Sequence, residues 1–104
     1  MIVKLDQVGV VGAFSLVEYD LAPGNGPGQH AHEECSETYF ILEGELTFRL
    51  GRDQRLLTPG SLIHVPPGVV HGFRNETDER VRMLWLFSPG QCLGKMGWDP
   101  RHRG

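Results

Sequence analysis

His30 and His32 stand two residues apart, and the carboxylate of Glu37 follows five positions later. In extended backbone successive side chains alternate sides, so both imidazoles project the same way. After a short kink, a strand predicted over residues 37–43 opens with Glu37, whose side chain can enter the same space. Two imidazoles and a carboxylate converging from β structure suit a divalent metal ion. A third imidazole must come from elsewhere in the chain. Cys35 lies between His32 and Glu37. A thiol there could approach the ion, but the reading adopted is a buried, inert cysteine. Glu33 and Glu34 read as rim charges, one of them able to accept from a histidine N–H.

The spacing around these residues is more specific than the residues alone. Gly24, five residues, His30-x-His32, four residues, Glu37, six residues and Gly44 form one run. Gly60, five residues, Pro66-x-Gly68, two residues, His71, three residues and Asn75 form a second, fifteen residues after Gly44. These runs resemble, at every fixed position, the first and second motifs of the cupin superfamily. The resemblance covers about half of the chain and implies a small metal-binding jelly-roll barrel. It also supplies the missing imidazole, His71, and so a set of His30, His32, Glu37 and His71. His64 fits neither motif and is read as facing away or hydrogen-bonding locally, while Gly68 and Asn75 are read as turn and packing residues.

Three neutral nitrogens and one anionic oxygen leave one or two positions open on an octahedral ion. Such ligands suit iron, manganese, nickel, copper or zinc as a single divalent ion per chain, and ligand type does not rank them. With one carboxylate the centre keeps a charge of about +1, which favours an enolate, carboxylate or diolate ligand. Ile41, Phe73, Met83 and Trp85 are the candidate lining of a dry pocket around that ligand.

The bulk properties agree with a small β domain. The chain has 104 residues, 39% hydrophobic, with 14 glycines and 7 prolines, a composition of many turns and short strands. One domain over residues 1–104 is expected, its core barrel at about 13–88 and an irregular tail at 89–104. A net charge of −3 and the absence of a basic run argue against nucleic acid or an anionic membrane as the main partner. No segment reaches the roughly 20 apolar residues of a membrane span, and no secretory leader is evident, so a cytoplasmic protein is expected. Two cysteines do not make a disulfide framework.

Alternation of apolar and polar residues places the strands. They are expected at 1–6 (weakly), 14–21, 37–43, 46–50, 54–58, 62–65, 71–75 and 81–87, with no helical period and no repeat. On 14–21, Phe14, Leu16, Tyr19 and Leu21 are read as the apolar residues of an alternating strand. Short strands at roughly ten-residue spacing describe an all-β jelly roll or barrel. The loop at 23–28 holds three glycines and two prolines and reads as a plain turn; no helix follows it and no lysine sits in it, against a phosphate cradle. Residues 38–42 and 81–87 are apolar on both faces, more than one small barrel hides, which predicts a homodimer.

Three functions fit this pattern. The favoured one is a metalloenzyme acting on a small oxygen-rich molecule, of dioxygenase type, similar in ligand set to quercetin and acireductone dioxygenases. Another is a sugar or uronate isomerase or ketonising enzyme, with Tyr39, Glu33 or Glu34 as candidates for proton transfer. The last is a small-molecule-binding cupin without turnover.

Overall fold

The structure, a computed structural model, describes residues 14–88 in full and residues 2–5 as a backbone strand. Eight strands follow one another: β1 (Ile2–Leu5), β2 (Ser15–Leu21), β3 (Ser36–Glu43), β4 (Leu46–Leu50), β5 (Asp53–Leu57), β6 (Leu62–Val65), β7 (His71–Arg74) and β8 (Val81–Ser88). Among the described residues there is no helix. The expected strands therefore form, each end within a residue or two of its predicted place. The expected tail at 89–104, with Cys92, lies outside the described residues.

Two antiparallel sheets result, one ordered β1-β2-β8-β3-β6 and the other β5-β4-β7. Each buries one face, as the period of two requires. On β8, Val81, Met83, Trp85 and Phe87 are buried while the residues between them are half-buried. On β3 the buried set is Glu37, Tyr39 and Ile41. Leu46, Phe48 and Phe73 of the smaller sheet meet them in one hydrophobic cluster. Tyr39 touches both sheets: its ring centroid lies 4.9 Å from Phe48 and 5.4 Å from Phe73 and Trp85. The result is a small jelly roll.

Strand β2 buries part of the expected apolar set and leaves part outside, with Tyr19 packed against the core as expected. Val17 and Leu21 are in the core, whereas Leu16 pairs with Leu86 on the outer face of the larger sheet. Apolar residues occupy both sides of β2, so alternation alone did not fix its phase; pairing with β8 did.

Turns that frame the site are tied by backbone hydrogen bonds. The amide of Gly24 donates to the Asn75 carbonyl at 2.7 Å, and the Asn75 amide donates to the Asn25 carbonyl at 2.9 Å. The Asn75 side chain, fully buried, donates to the carbonyls of Leu21 and Glu79 and accepts from the amide and hydroxyl of Thr77. It thus carries the packing role expected of it. Gly26 has φ +152°, and a Cβ there would lie 2.1 Å from the carbonyl oxygen of Phe73. Only glycine lets the loop lie so close on β7.

Candidate metal centre

The centre is built from both sheets. His30 and His71 sit opposite each other in an isolated antiparallel bridge, with amide-to-carbonyl bonds of 2.7 and 2.8 Å in the two directions. Residues directly opposed on an antiparallel ladder point to the same face, so this bridge brings the two imidazoles together, 4.6 Å between centroids. Glu37 arrives from the other sheet, on the inner face of β3 between Val65 of β6 and Phe87 of β8. Ligand atoms of His30, Glu37 and His71 all lie within 4.8 Å of one another, close enough to share one ion. His32 stands beside them, its ring centroid 4.8 Å from that of His30 and 6.3 Å from that of His71. The amide of Gly68 donates to its backbone carbonyl at 2.8 Å.

Hydrogen bonds decide which nitrogen each ring presents. Nδ1 of His71 is 2.8 Å from the Val69 carbonyl, and Nδ1 of His30 is 2.9 Å from the Gly28 carbonyl. A carbonyl only accepts, so both Nδ1 atoms carry hydrogen and both Nε2 atoms carry the lone pair that binds metal. Glu37 is polarised in the same way. Its Oε1 accepts from the Tyr39 hydroxyl at 2.7 Å and from the Trp85 ring N–H at 3.0 Å, while its Oε2 faces Nε2 of His71 at 2.7 Å.

That last approach tests the fit of a cation. Nε2 of His71 and Oε2 of Glu37, nearly inaccessible and 2.7 Å apart, are both acceptors when the imidazole is neutral. Nε2 of His32 is a third buried polar atom without a hydrogen-bond partner. Acceptors converge this way when a proton or a metal ion lies between them, and the residues fit a divalent ion.

The electrostatics follow. Burial alone pushes Glu37 up, but contact with His71 and the Tyr39 and Trp85 donors outweigh it and hold the carboxyl below its ordinary range. Burial pushes His71 down, yet the Glu37 carboxylate and the Val69 carbonyl raise it overall. His32 is lowered, first by burial and then by the neighbouring imidazoles, against the pull of Glu37. A lowered imidazole is neutral at physiological pH, as a ligand must be.

The other candidates fall in distinct places. Tyr39 is fully buried, and burial together with Glu37 raises its phenol far above the usual value, so the hydroxyl stays a donor to the carboxylate. Glu33 and Glu34 are exposed on the rim, Glu33 over the turn at Gly68. A hollow of about 220 Å³ opens there, bordered by Ala31, His32, Glu33, Glu34 and Cys35. Ile41, Phe73, Met83 and Trp85 all point inward and pack into the core, with Phe73 edge-on to Trp85 at 5.4 Å. His64 hydrogen-bonds locally, its Nδ1 2.8 Å from the Thr38 hydroxyl across the β3–β6 pair, as expected. The reading of Cys35 as an inert thiol is corrected: the residue is buried, but its sulfur is in a disulfide. Linked sulfur is not a thiolate ligand.

The donor pair on Oε1 went unread in the sequence as a support for Glu37. Tyr39, two residues on along the same strand face, carried a signal; Trp85, 48 residues away, carried none.

The family model for the cupin domain matches residues 17–87. Quercetin 2,3-dioxygenase of Bacillus subtilis is 32% identical over 79 residues, 76% of this chain but only 23% of that protein's length. The crystal structure of TT1209 from Thermus thermophilus superposes with a TM-score of 0.71 at 34% identity, covering 79% of this chain and 78% of that one. A cupin sugar phosphate isomerase from Silicibacter pomeroyi superposes with a TM-score of 0.69 at 26% identity, over 73% of this chain and 50% of that one. With the family model spanning most of both sheets and both motifs, the chain belongs to the cupin family.

Proposed function

We propose that the chain is a metal-dependent cupin enzyme acting on a small oxygen-rich molecule, with His30, His32, Glu37 and His71 as the ligands of one divalent ion. The observation that carries this reading is the 2.7 Å approach of two buried acceptors, Oε2 of Glu37 and Nε2 of His71. A bound iron, manganese, nickel, copper or zinc ion would supply Lewis acidity and open positions for an oxygen-rich ligand.

The chain's own residues do the rest. Tyr39 and Trp85 hold one oxygen of Glu37 and thereby aim the other. The carbonyls of Gly28 and Val69 keep the lone pairs of His30 and His71 on the inward nitrogens. Stacked aromatic rings beneath, including Phe48 against His71 at 6.2 Å, keep water from that side. The hollow beside His32 is the route of approach for substrate, with Glu33 and Glu34 at its edge.

Dioxygenase chemistry is favoured. It is supported by the likeness to the Bacillus dioxygenase and, among the described residues, by the engagement of the buried Tyr39 hydroxyl with Glu37. Isomerisation is the second reading, supported by the likeness to the Silicibacter isomerase. It requires proton transfer from Glu33 or Glu34 at the rim. Elemental analysis of the purified protein, then oxygen uptake with catechols and flavonols after loading each metal, tests the first. Uronate turnover with zinc under anaerobic conditions replaces it with the second. Saturable binding without product makes the chain a binding cupin and defeats both.

The outer face of the larger sheet supports a homodimer. Leu62, 63% exposed, is opposite Phe40, which is opposite Leu84; two residues along β8, Leu86 is opposite Leu16, and all but Leu62 are half-buried. A second copy covering this stripe removes it from water. A stable monomer in sedimentation at micromolar concentration excludes the dimer. We place the protein in the cytoplasm as a single domain.

A further inference from the structure

We propose that the groove between the 26–29 loop and the outer face of the smaller sheet binds a small phosphate-bearing anion. The groove has a volume of about 220 Å³ and is lined by Gly26 to Gln29 on one side and by Thr47, Arg49, Gly72, Phe73 and Arg74 on the other. No acidic residue lines it, and among the described residues neither Arg49 nor Arg74 has a carboxylate partner. In a protein of net charge −3, two guanidinium groups bordering one hollow without an acid are a local inversion of sign.

Strand register brings them there. Thr47 is opposite Arg74 and Arg49 is opposite Gly72, so all four lie on one outward face of the β4–β7 pair, turned from the metal centre. Gly72 adds no side chain, which lets the loop close over the strand: a Cβ there would lie 3.0 Å from the backbone of Gln29. Two guanidinium forks and one hydroxyl around a hollow suit the several oxygens of a tetrahedral phosphate better than the two coplanar oxygens of a carboxylate. The volume equals that of roughly seven waters and lies below the usual range for drug-sized ligands, so the occupant is a phosphate monoester or a comparably small molecule.

This assignment stands apart from the metal reading. The test is titration of inorganic phosphate into the full chain, followed by heteronuclear NMR, with malonate as the carboxylate probe. Saturable shifts are expected at Gly26, Gly28, Gln29 and Gly72, with malonate at least several-fold weaker. Arg49→Gln and Arg74→Gln are each expected to weaken phosphate about tenfold, the loss of one charge-assisted contact. Both positions are exposed, so the variants keep the fold, checked by their unchanged spectra elsewhere. His71→Ala is expected to bind phosphate as the parent does. Shifts that never saturate, that survive the double arginine variant, that need His71, or that favour malonate overturn the proposal.

Discussion

Glu37 and His30 reach the same centre from unequal supports. Glu37 sits on β3, paired on one side with β6 and on the other with β8, and its Oε1 holds two buried donors. His30 lies on the segment between β2 and β3, joined to the smaller sheet by a single bridge and aimed by the carbonyl of Gly28. One wall of the site is a strand interior; the other is a glycine-rich segment laid along an edge. Backbone with few ladder bonds opens at lower free energy than a strand paired on both sides. The wall would therefore fix the place of a bound ion, and the segment would supply the ligand held less firmly.

His71 belongs to both supports, since it bridges His30 and faces Glu37, so its removal has the largest effect. His71→Ala is expected to lower metal affinity at least a hundredfold, more than an outer-shell change does, while the far-ultraviolet spectrum stays that of a β protein. Full metal occupancy in elemental analysis of that variant refutes the four-ligand centre. On the Glu37 side, Tyr39→Phe and Trp85→Phe each remove one donor from Oε1 and are expected to cost about tenfold in metal affinity, with the two losses coupled rather than additive. Isothermal titration of both single variants and the double variant measures this. An unchanged affinity in both single variants means that the carboxylate needs no anchoring.

On the loop side, Gly26→Ala pushes a Cβ into the Phe73 carbonyl and lifts the segment that carries His30. Metal affinity should fall several-fold, with a stability loss of about 1–3 kcal/mol for the forced backbone. Hydrogen exchange gives a direct reading of the contrast: amides of β3 should exchange slower than those of residues 26–32. Equal protection removes the distinction between wall and loop. The smallest effect belongs outside both regions. Arg80 and Asp20 form an exposed pair at 2.8 Å, and Arg80→Gln should change stability by no more than about 0.5 kcal/mol in thermal denaturation.

The apolar residues expected to line a substrate pocket fill the core instead. Ile41, Phe73, Met83 and Trp85 alternate inward as their strands require. In a barrel this small the inward faces of two sheets meet, and the rings fill the space between them. The hollows beside His32 and under the 26–29 loop border backbone that alternation does not describe.

From the chain alone came the strand order of types, the jelly-roll class, and His30, His32, Glu37 and His71 as a candidate set. These follow from short-range rules: a period of two, turns at glycine and proline, and two spaced motifs. Only the folded chain decided the rest. It put His30 opposite His71 in one bridge, selected the inner face of β2, reached Glu37 with the Trp85 N–H, and set Arg49 opposite Gly72 and Thr47 opposite Arg74. Each of these is a pairing between strands distant in sequence, where register is settled by which faces bury together and by which acceptors find donors. Local pattern names the side chains that can act; packing across the sheets chooses which of them meet.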